Sequence, residues 1–134
     1  MKFPVMAGSA FTSPHRKNFY LNVKNIYEID GAGYDADAVT IKFLNHGISD
    51  DAATTVEAAV TIVMDGTDGD EKVENANKLA DYLANLIAEL VDSQAINKHK
   101  VYDLIPTLAD IHTKTGITKT GGSGNDAIIS ITLS

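Results

Sequence analysis

Apolar and polar residues alternate along much of the chain, and the period of that alternation changes once. Phe19, Leu21, Val23, Tyr27 and Ile29 share one face of an extended segment, with Asn22, Lys24, Glu28 and Asp30 mostly on the other. A period of two marks a half-buried strand. The turn-rich run 30–35 ends it. A second strand follows, with Val39, Ile41 and Phe43 inward and Thr40 and Lys42 outward. A third covers about 54–64: Val56, Ala58, Val60, Ile62 and Met64 lie on one face, and Thr55, Glu57, Ala59, Thr61 and Val63 on the other. That second face predicts cover on both sides near the strand's end. The short links predict an antiparallel meander, because parallel pairing needs a longer crossover.

The period then becomes helical. Over about 68–93, Val73, Ala76, Leu79, Ala80, Leu83, Leu86, Ile87, Leu90 and Val91 project within one broad stripe, with Glu74, Lys78, Asp81, Asn85 and Asp92 opposite. Asp68 followed by Glu71 resembles a capping arrangement, and Asp70, Glu71 and Glu74 suit the positive end of a helix. Beyond it, 101–105 reads as a short strand stopped by Pro106. The stretch 108–119 is ambiguous, its threonines favouring strand. The run 121–125 reads as a turn, and 127–133 as a final strand with Ile129, Ile131 and Leu133 aligned. The expected fold is α+β: a mainly antiparallel sheet of about five or six strands with one long amphipathic helix packed on one face, in the order βββ-α-ββ(β).

Residues 1–17 show neither period and contain Pro4, Gly8 and Pro14. They read as an extended N-terminal arm ahead of a single α+β domain over 18–134. Phe3, Val5, Met6 and Phe11 are apolar enough to gain by burial, on their own domain or on another molecule.

The chain's 134 residues suit one core. Absence of cysteine excludes disulfides, thiolate nucleophiles and cysteine-ligated metals. No apolar run approaches the roughly 18–20 residues of a membrane-spanning helix, and the start of the chain lacks the apolar core of a secretory leader, so neither membrane nor export is expected. The net charge of −7 is segregated. Residues 1–27 carry +4, with no acid; residues 28–92 carry −12; residues 93–134 carry +1. A body of this sign does not displace phosphate counterions, so direct nucleic-acid binding is not expected. The acidic middle confers solubility, or else meets the basic leading segment of a neighbouring subunit.

The catalytic and ligand motifs weaken on inspection. Gly31-Ala32-Gly33-Tyr34-Asp35-Ala36 fits a dinucleotide fingerprint, but it leads into a strand where that site needs a helix N-terminus. The acidic run 65–71 fails the calcium-loop spacing in either register and reads as a helix cap. The glycine-rich run 121–125 lacks the Lys and the following helix of a phosphate loop. His15, His46, His99 and His112 form no helical metal pair. Ser49, His46 and Asp51 could be assembled as a triad, yet no nucleophile elbow supports one. No cofactor or metal is expected.

What remains is a chain suited to making surfaces. MKFPVMAGSAFTSPHRK leads into FYLNVKNIYEID, the body is strand-rich and free of cysteine, and ISITLS closes the chain. In this layout it resembles small accessory virion proteins of tailed bacteriophages, of the capsid decoration or cement type. The resemblance implies a non-enzymatic virion subunit, assembled in the host cytoplasm, that binds the major capsid or another virion protein and forms a homo-oligomer. A neck or tail-completion role shares the same chemistry. Phe3, Val5, Phe11, Arg16, Lys17 and Tyr34 are the candidate contact residues. The alternative is a small soluble ligand-binding or hydrolytic domain with a cleft near His46, Asp50, Asp51 and His112.

Overall fold

The computed structural model describes residues 1–7, 17–31, 37–45, 56–94, 101–117 and 127–133. Its strands are β1 (Lys2–Ala7), β2 (Lys17–Tyr20), β3 (Ile26–Asp30), β4 (Ala38–Asn45), β5 (Val56–Met64) and β6 (Ile128–Leu133). Its helices are α1 (Gly69–Gln94), α2 (Ile105–Ala109) and α3 (Ile111–Thr115). The α+β class and the long amphipathic helix are as expected. The sheet departs from the expected single layer.

β3, β4, β5 and β6 form a four-stranded antiparallel sheet, while β1 and β2 form an antiparallel ribbon. The two meet where Met6 pairs with Ile131 and Ala7 with Ser130, giving the bonded order β2-β1-β6-β5-β4-β3. Pro4 explains why the junction is so short. Lys2 sends its N–H to Tyr102 O (2.8 Å) and its C=O to Leu104 N–H (3.1 Å), on the side away from β2. Pro4, two residues on, faces the same side and has no N–H to give, so the β1–β6 ladder stops at Met6. The ribbon then folds back over the sheet. Phe19 of β2 and Phe43 of β4 have ring centroids 5.6 Å apart, although three strands lie between them in the bonded order.

The first residues are therefore part of the body. Phe3 is fully buried in the core cluster that also holds Val39, Ile41 and Phe43, and it pairs with Phe19 in the ribbon. Met1 donates its ammonium to Leu21 O (2.6 Å), and burial lowers that group's pKa from its ordinary value.

The expected single strand from Asn18 to Asp30 is two strands with a 3-10 turn, Val23–Asn25, between them. Asn22 causes the break. Its side-chain oxygen accepts from Lys24 N–H (3.1 Å) and its carbonyl from Asn25 N–H (2.9 Å), the local bonding that draws Asn into turns.

α1 fulfils its pattern. Ala76, Leu79, Leu83 and Ile87 are buried against the sheet's inner face. Asp68 Oδ1 accepts Glu71 N–H (2.9 Å), and Glu71 Oε2 accepts Thr67 N–H (3.2 Å) and the Thr67 hydroxyl. The strand expected at 101–105 is a single bridge, Asp103 beside Lys2. Pro106 does not stop an element; it opens α2, where its missing N–H breaks no helical bond. The ambiguous stretch contains α3, capped by Gly116 at φ 72°, a left-handed conformation that glycine adopts without strain.

Candidate interaction surface

The sheet has two unlike faces, set by strand alternation. One is covered by α1 and the folded ribbon. The other carries three cross-strand rows: Ala38–Val63–Ser130, then Asp30–Thr40–Thr61–Thr132, then Glu28–Lys42–Ala59. These side chains are half-buried or exposed, and among the described residues no element packs on them.

Two bulges add larger groups to this outer face. In β3, Ile26 opposes Phe43 and Glu28 opposes Lys42, so Tyr27 is the extra residue. In β6, Ile128 opposes Met64 and Ser130 opposes Val63, so Ile129 is extra. A bulge turns two consecutive side chains toward one side of the strand pair. Tyr27 and Ile129 are accordingly 46% and 40% exposed. The sequence pattern placed Tyr27 inward with Phe19 and aligned Ile129 and Leu133 with Ile131. In the structure Leu133 does share the face of Ile131, opposite Val60 and Ile62, though it is exposed at the strand's end, whereas Ile129 is displaced by the bulge.

Charge is confined to one end of this face. Glu28 Oε1 accepts from Lys42 Nζ at 2.8 Å, and that bond, with the nearby negative charges, raises the Lys42 pKa above its ordinary value. Asp30 lies beside them on β3. On β4, β5 and β6, Lys42 is the charged one among the described outer side chains; Ala38, Thr40, Leu44, Ala59, Thr61, Val63, Ile129, Ser130 and Thr132 are uncharged, and the side chain of Glu57, paired with Leu44, lies outside the described residues.

Among the described residues no strand pairs with the outer edge of β2 or of β3. Met1 and Leu21 exchange both backbone bonds (2.6 and 2.8 Å). Bonded and non-bonded pairs alternate in an antiparallel ladder, so Phe3–Phe19 and Val5–Lys17 are bonded pairs, and Lys2–Tyr20 and Pro4–Asn18 are not. The backbone N–H and C=O of Asn18 and Tyr20 therefore point outward. Tyr20 is 62% exposed. Lys17 is exposed at the start of β2, Lys24 is exposed in the turn that joins β2 to β3, and β3 exposes Glu28 and Asp30.

The expected contact residues are thus dispersed. Phe3 is core rather than a protruding contact. Lys17 is exposed at the start of β2. Val5 pairs with it through the backbone, its side chain outside the described residues. Phe11, Arg16 and Tyr34 lie outside the described residues. So do His46, Asp50 and Asp51 of the alternative cleft; His112 is half-buried on α3, its Nδ1 without a hydrogen-bond partner. In the acidic run at the start of α1, Asp68 Oδ1 and Glu71 Oε2 serve the helix cap. Among the described residues no group of three or more His, Asp or Glu could hold a metal ion, and no helix is long and apolar enough to cross a membrane. Alternation places Thr40 outward and sets Ala59, Thr61 and Val63 on the second face of β5; the cover expected on that second face is not present among the described residues, and the joining of these residues into one surface depends on strand register. No protein family, curated protein or solved structure matches the chain.

Proposed function

We propose that the chain is a non-enzymatic structural subunit of a virion, of the capsid decoration or cement kind. It seats the outer face of its sheet against an assembled protein shell and reinforces that shell. The observation that supports this reading is the uncharged part of the outer face formed by Ala38, Thr40, Thr61, Val63, Ile129, Ser130 and Thr132, in a chain with 29 charged residues. A face in contact with water only is ordinarily strewn with Lys and Glu, whereas the centre of a protein interface is depleted of charge. Small side chains such as Ala59, Thr61 and Ser130 let a partner's backbone approach closely, and the bulged Tyr27 and Ile129 supply apolar anchors.

The test is a density-gradient fractionation of particles produced from the genome that encodes the chain. The chain is expected in the particle band in fixed ratio to a shell protein. Thr61→Lys, which places a charge at the centre of the face, should leave the circular dichroism spectrum unchanged and remove the chain from that band. Recovery of the native chain only in the light soluble fraction, or full retention of the Lys variant on particles, would overturn the reading.

A further inference from the structure

Three Asp–Gly pairs occur in the chain, at 30–31, 65–66 and 68–69. In each, the glycine's backbone nitrogen can attack the aspartate carboxyl, because glycine has no β-carbon to obstruct the approach. The fold sets the three apart. Asp30 pairs with Thr40 at the end of β3, so closing a ring there has to rotate the backbone out of the ladder. Asp68 Oδ1 is engaged by Glu71 N–H (2.9 Å) in the cap of α1, and leaving it would release a helix-end donor. Asp65 Oδ1 instead accepts the N–H of its own following residue, Gly66, at 2.8 Å. That contact brings the carboxyl carbon to about the 3–3.5 Å of a near-attack arrangement. Gly66 is itself fixed by packing, since a β-carbon there would lie 2.8 Å from Lys72 N. The pair is half-buried beside the exposed Thr67 and Asp68, within reach of water.

We propose that Asp65–Gly66 is a site of spontaneous modification, where aspartate converts to isoaspartate through a cyclic imide. Gly66 N forms a bond to Asp65 Cγ. One carboxyl oxygen leaves as water, carrying the Gly66 amide proton and one proton from solvent. Water then adds to either ring carbonyl. Addition at the former side-chain carbonyl restores aspartate. Addition at the former main-chain carbonyl breaks its bond to Gly66 N and leaves the chain running through the β-carbon, as isoaspartate with a free α-carboxylate. The product carries one more methylene in the main chain between β5 and α1. It also turns the carbonyl that accepts from the buried Asn75 amide (2.9 Å) into a carboxylate, one residue from the backbone bond that ties Asp65 N–H to Ala127 O (3.0 Å) is made to Gly66. This chemistry requires no partner and stands apart from the structural-subunit reading above.

Ageing the purified chain in water enriched in heavy oxygen tests it. Samples held at pH 6 and 37 °C, folded or in guanidinium chloride, are digested at intervals for peptide mass spectrometry. Each passage through the imide places one heavy oxygen in the residue, and electron-transfer fragmentation separates isoaspartate from aspartate. In the folded chain Asp65 should lead Asp30 and Asp68 by about tenfold or more, the scale on which alignment of reacting atoms acts. In guanidinium chloride the three should react at similar rates. Asp65→Glu would have to close a larger ring, so it should carry no label at that position and keep the circular dichroism spectrum of the native chain. The comparison of sites within the native chain stands whether or not that variant folds. An unlabelled Asp65 in the folded chain, or a rate at Asp30 or Asp68 equal to or above it, overturns the proposal. A lead for Asp65 that persists in guanidinium chloride overturns it too, by assigning the reactivity to local sequence instead of the fold.

Discussion

Gly66 shows how a single atom is constrained by the turn that starts a helix. A β-carbon added there would lie 2.8 Å from the backbone N of Lys72, so the turn itself would have to move. Gly66→Ala should therefore lower stability by on the order of 1–3 kcal/mol, read as a shift of the urea midpoint with an unchanged slope. Lys42 poses a different question, since its partner Glu28 is partly exposed and the pair is weak. Its pKa is raised, first by the hydrogen bond to Glu28. A raised lysine stabilises the fold below the ordinary value of 10.5, and that contribution disappears as pH rises through the folded-state pKa. Thermal melts of the native chain and Glu28→Gln should differ slightly at neutral pH and converge in strong base. A difference that persisted there would assign the effect to packing.

Among the elements, β1 changes the meaning of the N-terminal segment most. Its phenylalanine packs in the core, so Phe3→Ala should cost about 3–5 kcal/mol, and removing residues 1–7 should unfold the chain instead of freeing an intact body. Cooperative urea unfolding that survived the deletion would return the segment to the role of a loose arm. β4, β5 and α1 were legible because each buries one face and keeps its period from end to end. α2 was not, although Leu104, Leu108 and Ile111 are spaced as one face of a helix and all three are buried. Thr113, Thr115, Thr118 and Thr120 argue for strand beyond it, yet Thr115 satisfies its hydroxyl on Ile111 O (2.6 Å), so helix carries no polar penalty at that position. Pro106 punctuates either a strand end or a helix start, and local sequence does not distinguish them. The outer face was half legible for a related reason. Alternation identified its small residues, but bulges such as those at Tyr27 and Ile129 are properties of two strands, not one.

In the whole molecule the decisive strand is the last to appear. β6 pairs along β5 on one side and joins the ribbon at Met6 and Ala7 on the other, so the sheet becomes continuous only when the two ends of the described chain meet. Such distant pairing requires loop closure before contacts offset it, which slows folding toward the millisecond-to-second range of strand-dominated domains. It also makes the structure cooperative in a particular way. Ile128 and Ile131 are buried, and without β6 the β5 edge is exposed and the ribbon loses its hydrogen-bonded connection to the sheet, keeping only side-chain packing such as Phe19 on Phe43. A chain ending at residue 126 should therefore lose the ribbon and the four-stranded sheet together: a broad urea transition with a reduced slope, and no slowly exchanging amides in either β1 or β5. If β5 stayed protected while β1 exchanged freely, the ribbon and the sheet would be separate folding units. The Pro4 junction would then be a hinge between them.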